Sequence, residues 1–349
     1  MPAAVVVLTP NLCGRDGISR LARLVTGTVG EATVLALHEP ASLTRLGAAR
    51  VRGAGGRTAS FVAAALGGAA AAGRRTTVIV THLHLAPAAL AFAARGASVT
   101  ALLCGVEAWT PVSRLQRAAL GRAARLIAIS RFTRDRFLAA NPHFAGRTVD
   151  VCHLGVEPLP AAAAAPAGPP SALIVGRMAA DERYKGHDPL LEIWREVAAA
   201  VPGAALRIVG DGDDRARLER KAASLGISDR VAFLGGIDEV GLLHEYERCT
   251  AFVMPSRDEG FGFVFVEAMR AARACLGSRG AAAEIIADQD TGLLVDPADR
   301  AQLLHGVIRM LRDRPATEAM GARGRARFIQ EFTEQRFRDR FTALVPVTL

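Results

Sequence analysis

Two glutamates, Glu259 and Glu267, stand with seven residues between them inside MPSRDEGFGFVFVEAMRAARACLGSRGAAAEIIADQDTGLLVDP, the stretch from Met254 to Pro297. The first follows a small polar loop, Pro255-Ser256-Arg257-Asp258, and begins a glycine turn, Glu259-Gly260-Phe261-Gly262. The second lies in the apolar helical run that comes next. A glycine turn entering a helix leaves backbone N–H groups without partners, and such an N-terminus suits phosphate. Carboxylates bracketing that start can reach hydroxyls beside the phosphate. Phosphate and hydroxyls in one pocket point to a nucleotide-sugar. One acid near a helix start would signify only a favourable charge–dipole pair. The second acid, the glycine turn and the downstream Gly277 and Gly280 loop favour the functional reading.

A pair of cations lies upstream. Leu173-Ile174-Val175-Gly176-Arg177 reads as a strand ending in a glycine and a cation, and Lys185-Gly186 follows. Strand ends in parallel sheets line the ligand crevice, so Arg177 and Lys185 are candidates to meet a diphosphate. The acids of Asp211-Gly212-Asp213-Asp214 and Asp288-Gln289-Asp290 have a metal-like spacing but suit turns and helix starts, so no metal is expected. In the first half, the glycines of Asn11–Ser19 fail the GxGxxG spacing, which disfavours an NAD oxidoreductase. His82 and His84 fall at the carboxyl end of a predicted strand, Thr77–Val80, where they would face the crevice.

The elements that must position these groups alternate along the chain. Strands are predicted at Ala3–Leu8, Ala32–Leu37, Thr77–Val80, Ser98–Leu103, Leu126–Ile129 and Thr148–Val151, with helical Ala/Leu/Arg stretches between them. A Pro/Ala segment at 158–170 reads as a linker. The alternation restarts at Ala172–Val175, Ala205–Val209, Val231–Leu234, Ala251–Val253, Ala274–Leu276 and Gly292–Val295. Apolar strands alternating with helices make parallel sheets from βαβ units. The expectation is an α/β chain of two Rossmann-like domains, 1–157 and 171–325, with a final helical segment, 326–349.

The stretch around Glu259 and Glu267 resembles the acidic signature of retaining glycosyltransferases of the GT-B fold (the group 1, or family 4-like, enzymes). Val175-Gly176-Arg177-Met178 with Lys185-Gly186 looks like the family's pyrophosphate-holding pair, and Leu206–Gly212 and Phe233–Gly236 like its following strands. Weaker likeness extends through Asn11–Ser19, Ala128–Thr133 and Leu154–Glu157. Leu102–Trp109 resembles the family's His-Gly-x-Glu-x-Trp segment, but Cys104 stands where a His is expected, beside Glu107. The resemblance implies two parallel-sheet domains facing across a cleft, the first binding the acceptor and the second the donor.

It also implies roles. Arg177 and Lys185 hold the donor diphosphate, and Glu259 contacts sugar hydroxyls and supports the reacting centre. Backbone N–H groups of Phe261, Gly262, Phe263 and Val264 take sugar or phosphate oxygens, and Glu267 takes the ribose. Gly17 and Gly176 let backbone approach the phosphates, while His82, His84, Cys104 and Glu107 belong to the acceptor or sugar side. The implied reaction is retaining transfer of a hexosyl group from a nucleoside-diphosphate sugar to a hydroxyl, needing no metal or other cofactor, in cell-envelope polysaccharide or glycolipid synthesis. A nucleotide-sugar epimerase and a non-catalytic nucleotide-sugar-binding protein remain alternatives. The resemblance further implies that the final segment, 326–349, returns to the first domain, with Phe337 and Phe341 packing there.

Composition agrees with a globular enzyme of this size: 349 residues, 50% hydrophobic and 22% charged. The start lacks a basic signal-peptide region, no run is long enough to span a bilayer, and five scattered cysteines read as reduced core residues. The expected location is the cytoplasm or the inner face of the cytoplasmic membrane. The net charge of +9 owes much to Arg114, Arg117, Arg122, Arg125, Arg131, Arg134 and Arg136. With Leu115 and Leu120 among them, an amphipathic helix on an anionic membrane is one reading and a solvated face the other. Aromatics at 5% and the lack of a recognition motif argue against nucleic acid.

Overall fold

The computed structural model describes residues 4–14, 16–159, 166 and 168–345. It divides into two compact units, one of Met1–Gly155 with Glu334–Leu349 and the other of Val156–Thr333. Most of the segment expected as a linker, 160–165 and 167, lies outside the described residues.

Unit 1 contains β1 (Ala4–Thr9), β2 (Thr33–Ala36), β3 (Arg45–Leu46), β4 (Ala49–Gly53), β5 (Thr76–Val80), β6 (Ser98–Leu103), β7 (Arg125–Ala128) and β8 (Val149–Val151). Their order in the sheet is β3-β4-β2-β1-β5-β6-β7-β8, parallel apart from the β3–β4 pair. Its helices are α1 (Gly17–Val29), α2 (Thr58–Ala70), α3 (Ala89–Ala94), α4 (Arg114–Arg122) and α5 (Arg131–Ala140). The short β3 and β4 were not anticipated. Arg45, Arg50 and Arg52 give them a polar, arginine-bearing edge with none of the apolar run that marks the central strands. The arginine-rich stretch 114–136 is not one helix. Apolar Leu126, Ile127 and Ala128 pair with β6 and separate α4 from α5.

Unit 2 holds β9 (Ser171–Val175), β10 (Ala205–Val209), β11 (Val231–Gly235), β12 (Ala251–Met254), β13 (Ala274–Ser278) and β14 (Gly292–Val295). Every pairing in this sheet is parallel, in the order β11-β10-β9-β12-β13-β14. Around it lie α6 (His187–Ala200), α7 (Arg215–Ser224), α8 (Glu239–Arg248), α9 (Phe263–Arg270), α10 (Ala282–Ile285), α11 (Arg300–Arg312) and α12 (Arg314–Glu331). Strands β9, β12 and β13 are nearly or wholly buried along their length, as central strands of a sheet covered on both faces must be.

The last helix, α13 (Glu334–Leu344), belongs to unit 1 and packs against α1. Phe337 and Phe341 stack on its buried side with ring centroids 5.3 Å apart, and Arg338 donates to the Gly27 carbonyl at 3.0 Å. The return begins at Glu334 instead of 326 because 314–331 is one continuous helix whose Met320, Gly321, Gly324 and Phe328 are buried in unit 2.

In both sheets the chain starts in the middle and winds outward in both directions. The order reverses between β1 and β5 in unit 1 and between β9 and β12 in unit 2. Loops leaving such neighbouring strands diverge and open a crevice at their carboxyl ends.

Candidate functional site

In unit 2 the loops after β9 and β12 meet at the reversal. The β9 loop carries Gly176, Arg177 and a short helical turn, Ala180–Lys185, and the β12 loop runs from Pro255 to Gly262. Arg257 N–H donates to the Tyr184 carbonyl at 2.9 Å and stitches them together. Gly186 has φ +95, and a Cβ there would lie 2.8 Å from Cγ of Pro255. Glycine is required on both counts, left-handed backbone and close approach.

Two helices begin here at left-handed glycines: α6 after Gly186 and α9 after Gly262, where φ is +98. Neither has a side-chain cap. Their first-turn amides and positive dipole ends make both starts suitable for anionic oxygen. Phe263 and Val264 lie in the first turn of α9, while Phe261 is buried just before it.

Lys185 and Glu259 approach to 3.8 Å, with side chains only 17% and 20% exposed. Burial raises the Glu259 pKa, against the lowering influence of Lys185 and with a further raising contribution from Glu182. The Lys185 stem passes Gly176, whose Cβ would sit 3.1 Å from Cδ of the lysine. Arg177 is engaged by Glu182, its Nε donating to Oε2 at 3.1 Å and its terminal nitrogen to Oε1. The structure thus brings Gly176, Arg177, Lys185 and Glu259 together around two uncapped helix starts.

Glu267 lies deeper. It is buried one turn into α9 and accepts a hydrogen bond from the Tyr246 hydroxyl of α8 at 2.8 Å. Sequence reasoning missed Tyr246, because a lone Tyr carries no pattern.

A second unforeseen set holds the Arg177–Lys185 turn in place. Asp214 accepts from Arg183 and from Arg217, and Arg217 together with Lys221 also binds Asp188. These hydrogen bonds, led by Arg217, lower the Asp188 pKa to about 2. Asp213 accepts from Ala180 N–H and Asp211 from Gly212 N–H. The aspartates of 211–214 are therefore turn and ion-pair residues.

His187, the first residue of α6, is 3% exposed, and its Nε2 has no hydrogen-bond partner within the protein. Burial, with Lys185 adding to it, lowers its pKa to about 4.

Unit 1 treats its first loop differently. Asp16 caps α1, accepting from Ile18 N–H and Ser19 N–H at 3.0 Å each. Glu39 accepts from Leu12 N–H and Cys13 N–H at 2.7 and 2.8 Å, and Arg23 donates to the Leu12 and Gly14 carbonyls. The entry to α1 is thus held by carboxylates of its own unit, Glu39 engaging two amides of the loop and Asp16 two amides of the helix's first turn.

On the neighbouring strand ends, His82 and His84 meet edge to face at 4.8 Å, and His82 Nδ1 accepts from His84 N–H at 3.3 Å. That bond leaves Nε2 as the nitrogen that carries the proton in neutral His82. Burial lowers the His82 pKa, against the raising influence of Glu107 and with the help of His84. Cys104 is buried, its thiol donating to the Thr81 carbonyl at 3.1 Å, while its N–H goes to Glu107. Cys104 is therefore a sheet-filling residue turned toward β5.

The sequence model of the family described as Glycosyl transferases group 1 matches residues 157–327. Residues 157–327 form a group 1 glycosyltransferase domain. A GDP-mannose-dependent alpha-(1-6)-phosphatidylinositol monomannoside mannosyltransferase of Mycobacterium tuberculosis is 36% identical to this chain over 149 residues. That alignment covers 40% of this chain and 39% of the mycobacterial protein, so the match spans well under half of the relative's length. Among solved structures, Anabaena HepE in complex with UDP and glucose superposes with a TM-score of 0.79 at 18% identity, covering 99% of each chain. Sucrose-phosphate synthase from Thermosynechococcus elongatus gives 0.79 at 19% identity over 98% of each chain. Both sheets of this protein therefore belong to the GT-B fold, and the glycosyltransferase domain is its second Rossmann-like unit. Every residue expected to bind donor, except Gly17, lies in that domain.

Proposed function

We propose that the protein is a retaining glycosyltransferase that moves a hexosyl group from a nucleoside-diphosphate sugar to a hydroxyl acceptor. The observation that carries this reading is the pair of uncapped helix starts at Gly186 and Gly262, facing loops that hold Arg177, Lys185 and Glu259. Such a site offers backbone donors and cations to a diphosphate and a carboxylate to sugar hydroxyls. In the reaction the bond from the anomeric carbon to the diphosphate oxygen breaks. The acceptor oxygen bonds to the same face of that carbon, and its proton passes to the departing phosphate. Arg177 and Lys185 stabilise the charge that grows on the diphosphate. Glu259, beside Lys185, fixes the sugar, and Glu267 holds the ribose. Unit 1 supplies the acceptor. No step calls on a metal.

The mycobacterial relative uses GDP-mannose and a phosphatidylinositol mannoside, and the HepE structure holds UDP and glucose. These names support glycolipid or polysaccharide synthesis as the setting and leave guanine and uracil as the bases to compare. The deciding experiment is thermal stabilisation by GDP-mannose, UDP-glucose and related donors, run on wild type, Arg177→Ala and Glu267→Ala. Stabilisation by one nucleotide series, lost in both variants, supports the reading. No response to any donor sinks it. Product anomers assigned by NMR test retention, and turnover of donor sugar without acceptor would favour the epimerase.

An anionic membrane is the proposed setting of acceptor transfer, at the cytoplasmic face. Support comes from α2, whose sequence TASFVAAALGGAA has no charged residue and leaves Val62 43% and Leu66 56% exposed. From Pro40 to Arg134 the chain carries thirteen arginines, no lysine and one acid, Glu107. Arg57, Arg74 and Arg95 are exposed around α2 and its neighbour α3, and Arg114, Arg117 and Arg122 are exposed on α4. An apolar helix face within a cationic surface fits a bilayer with acidic headgroups. Arg136 does not contribute in this way, since its guanidinium lies over the Trp109 ring at 4.9 Å. Among the described residues, no helix is long and apolar enough to cross a membrane.

A further inference from the structure

The Arg177–Glu182 contact has the shape of a bound ligand. Two guanidinium nitrogens meet two carboxylate oxygens, at 3.1 and 2.5 Å, the fork geometry that arginine also offers to phosphate. The two partners are unequally placed. The Glu182 side chain is 13% exposed and Arg177 is 68% exposed, so the acid is the anchored member and the cation the accessible one. Glu182 also departs from helical geometry within its turn, with φ −113 and ψ 25, at the point where the chain bends between Arg177 and Lys185. Its charge is felt at Glu259 and Tyr184, which places it among the donor-site groups.

We propose that Glu182 is a built-in stand-in for the donor's diphosphate, holding Arg177 in the ligand-free protein and yielding it when a diphosphate arrives. The inference rests on the donor-site reading above, and it adds a residue that sets how tightly that site holds its ligand. A carboxylate carries one negative charge, whereas a nucleoside diphosphate brings several and also reaches Lys185 and the two helix starts. A diphosphate therefore displaces Glu182 where a singly charged anion competes poorly. Glu182 lowers affinity for every phosphate ligand that must take Arg177 from it. After transfer, the carboxylate's return to Arg177 assists departure of the nucleoside diphosphate. Glu182 is a specificity-determining residue acting through Arg177, not a catalytic one.

The test is calorimetric titration with inorganic pyrophosphate, GDP and UDP at fixed ionic strength. It compares wild type, Glu182→Gln, Glu182→Asp, Arg177→Ala and the Arg177→Ala/Glu182→Gln double variant, each checked for cooperative melting. Glu182→Gln removes the competing charge, while Glu182→Asp keeps it but withdraws it from the guanidinium by one methylene. Both are expected to tighten binding about three- to tenfold, the scale of an exposed ion pair plus a nearby charge. The gain should vanish in the Arg177→Ala background. Unchanged or weaker binding in both single variants overturns the proposal and makes Glu182 a residue that aims Arg177. A gain that persists without Arg177 also overturns it, leaving only general repulsion. Failure of wild type to bind any of the three probes condemns the donor-site reading itself, a different result from binding that depends on Arg177 but ignores Glu182.

Discussion

The Tyr246 hydroxyl donates to Oε2 of Glu267 at 2.8 Å, joining α8 to α9 through a buried carboxylate. Replacing Tyr246 with Phe deletes that donor and little volume, leaving the acid short of one partner. The expected cost is about 1–3 kcal/mol. For a unit of this size, that corresponds to a fall of roughly 3–10 °C in melting temperature. If Glu267 also holds the ribose, stabilisation by the cognate nucleotide shrinks in Tyr246→Phe beyond the change in the ligand-free melt. Equal stabilisation of both proteins would confine Tyr246 to a structural role.

Gly262→Ala tests the start of α9. The residue would need φ near +98, and its Cβ would sit 2.6 Å from Cδ2 of Phe265. Strain of this kind costs about 1–3 kcal/mol and moves the first turn. The variant is expected to fold with a lowered melting temperature and to lose most of its nucleotide response. A normal response would show that the α9 amides do not meet the ligand.

His187 gives unit 2 a pH dependence with a defined window. Burial holds its pKa at about 4 in the folded state, against an unfolded value near 6.5. The folded value is the depressed one, so the stabilising contribution is full above pH 6.5 and is lost as pH falls toward 4. Over that interval the loss approaches about 3 kcal/mol. Asp188, held at about 2 by Arg217 and Lys221, loses its own contribution only below the ordinary carboxylate range, so the two windows separate. Urea denaturation from pH 7 to 4 should show a steep slope in wild type and a shallow one in His187→Gln. Parallel slopes would assign the dependence to other groups.

Val62→Asp with Leu66→Asp places two charges on the exposed side of α2 and leaves buried Phe61, Ala65 and Ala69 untouched. Wild type is expected to sediment with vesicles containing acidic phospholipid, less so as salt rises, and hardly at all with neutral vesicles. The double variant should lose most of that binding without a change in melting temperature. Binding that survives the variant would move the contact to the arginines alone.

Much of this architecture was written in the chain's punctuation. Most central strands are short apolar runs closed by glycine, proline or a small polar residue, and the site loops inherit their position from those strand ends. Arg177 was legible because it closely follows such a run, and Lys185 and Glu259 because each stands beside a glycine in the loop that leaves a strand. Tyr246, Asp214, Glu39 and Glu182 were not. Each acts on a partner distant in sequence or across an irregular turn, where spacing carries no signal. Cys104 was visible as a departure from the expected His, but its inward hydrogen bond to Thr81 depends on the packing of β5 against β6. The β3–β4 pair was overlooked because alternating arginines at an exposed edge lack the apolar run used to recognise strands.

The position of α13 has a consequence for synthesis. Unit 2 is continuous in sequence and lies entirely upstream of α13, whereas unit 1 takes one of its helices from beyond unit 2. Domains generally fold as they emerge from the ribosome, amino-terminal first. Here the amino-terminal sheet waits for Phe337 and Phe341, and the face of α1 that α13 covers stays open to water until residues 334–344 are made. The second unit to be translated is the first that can be completed, and the nascent chain must keep its opening half from aggregating in the interval.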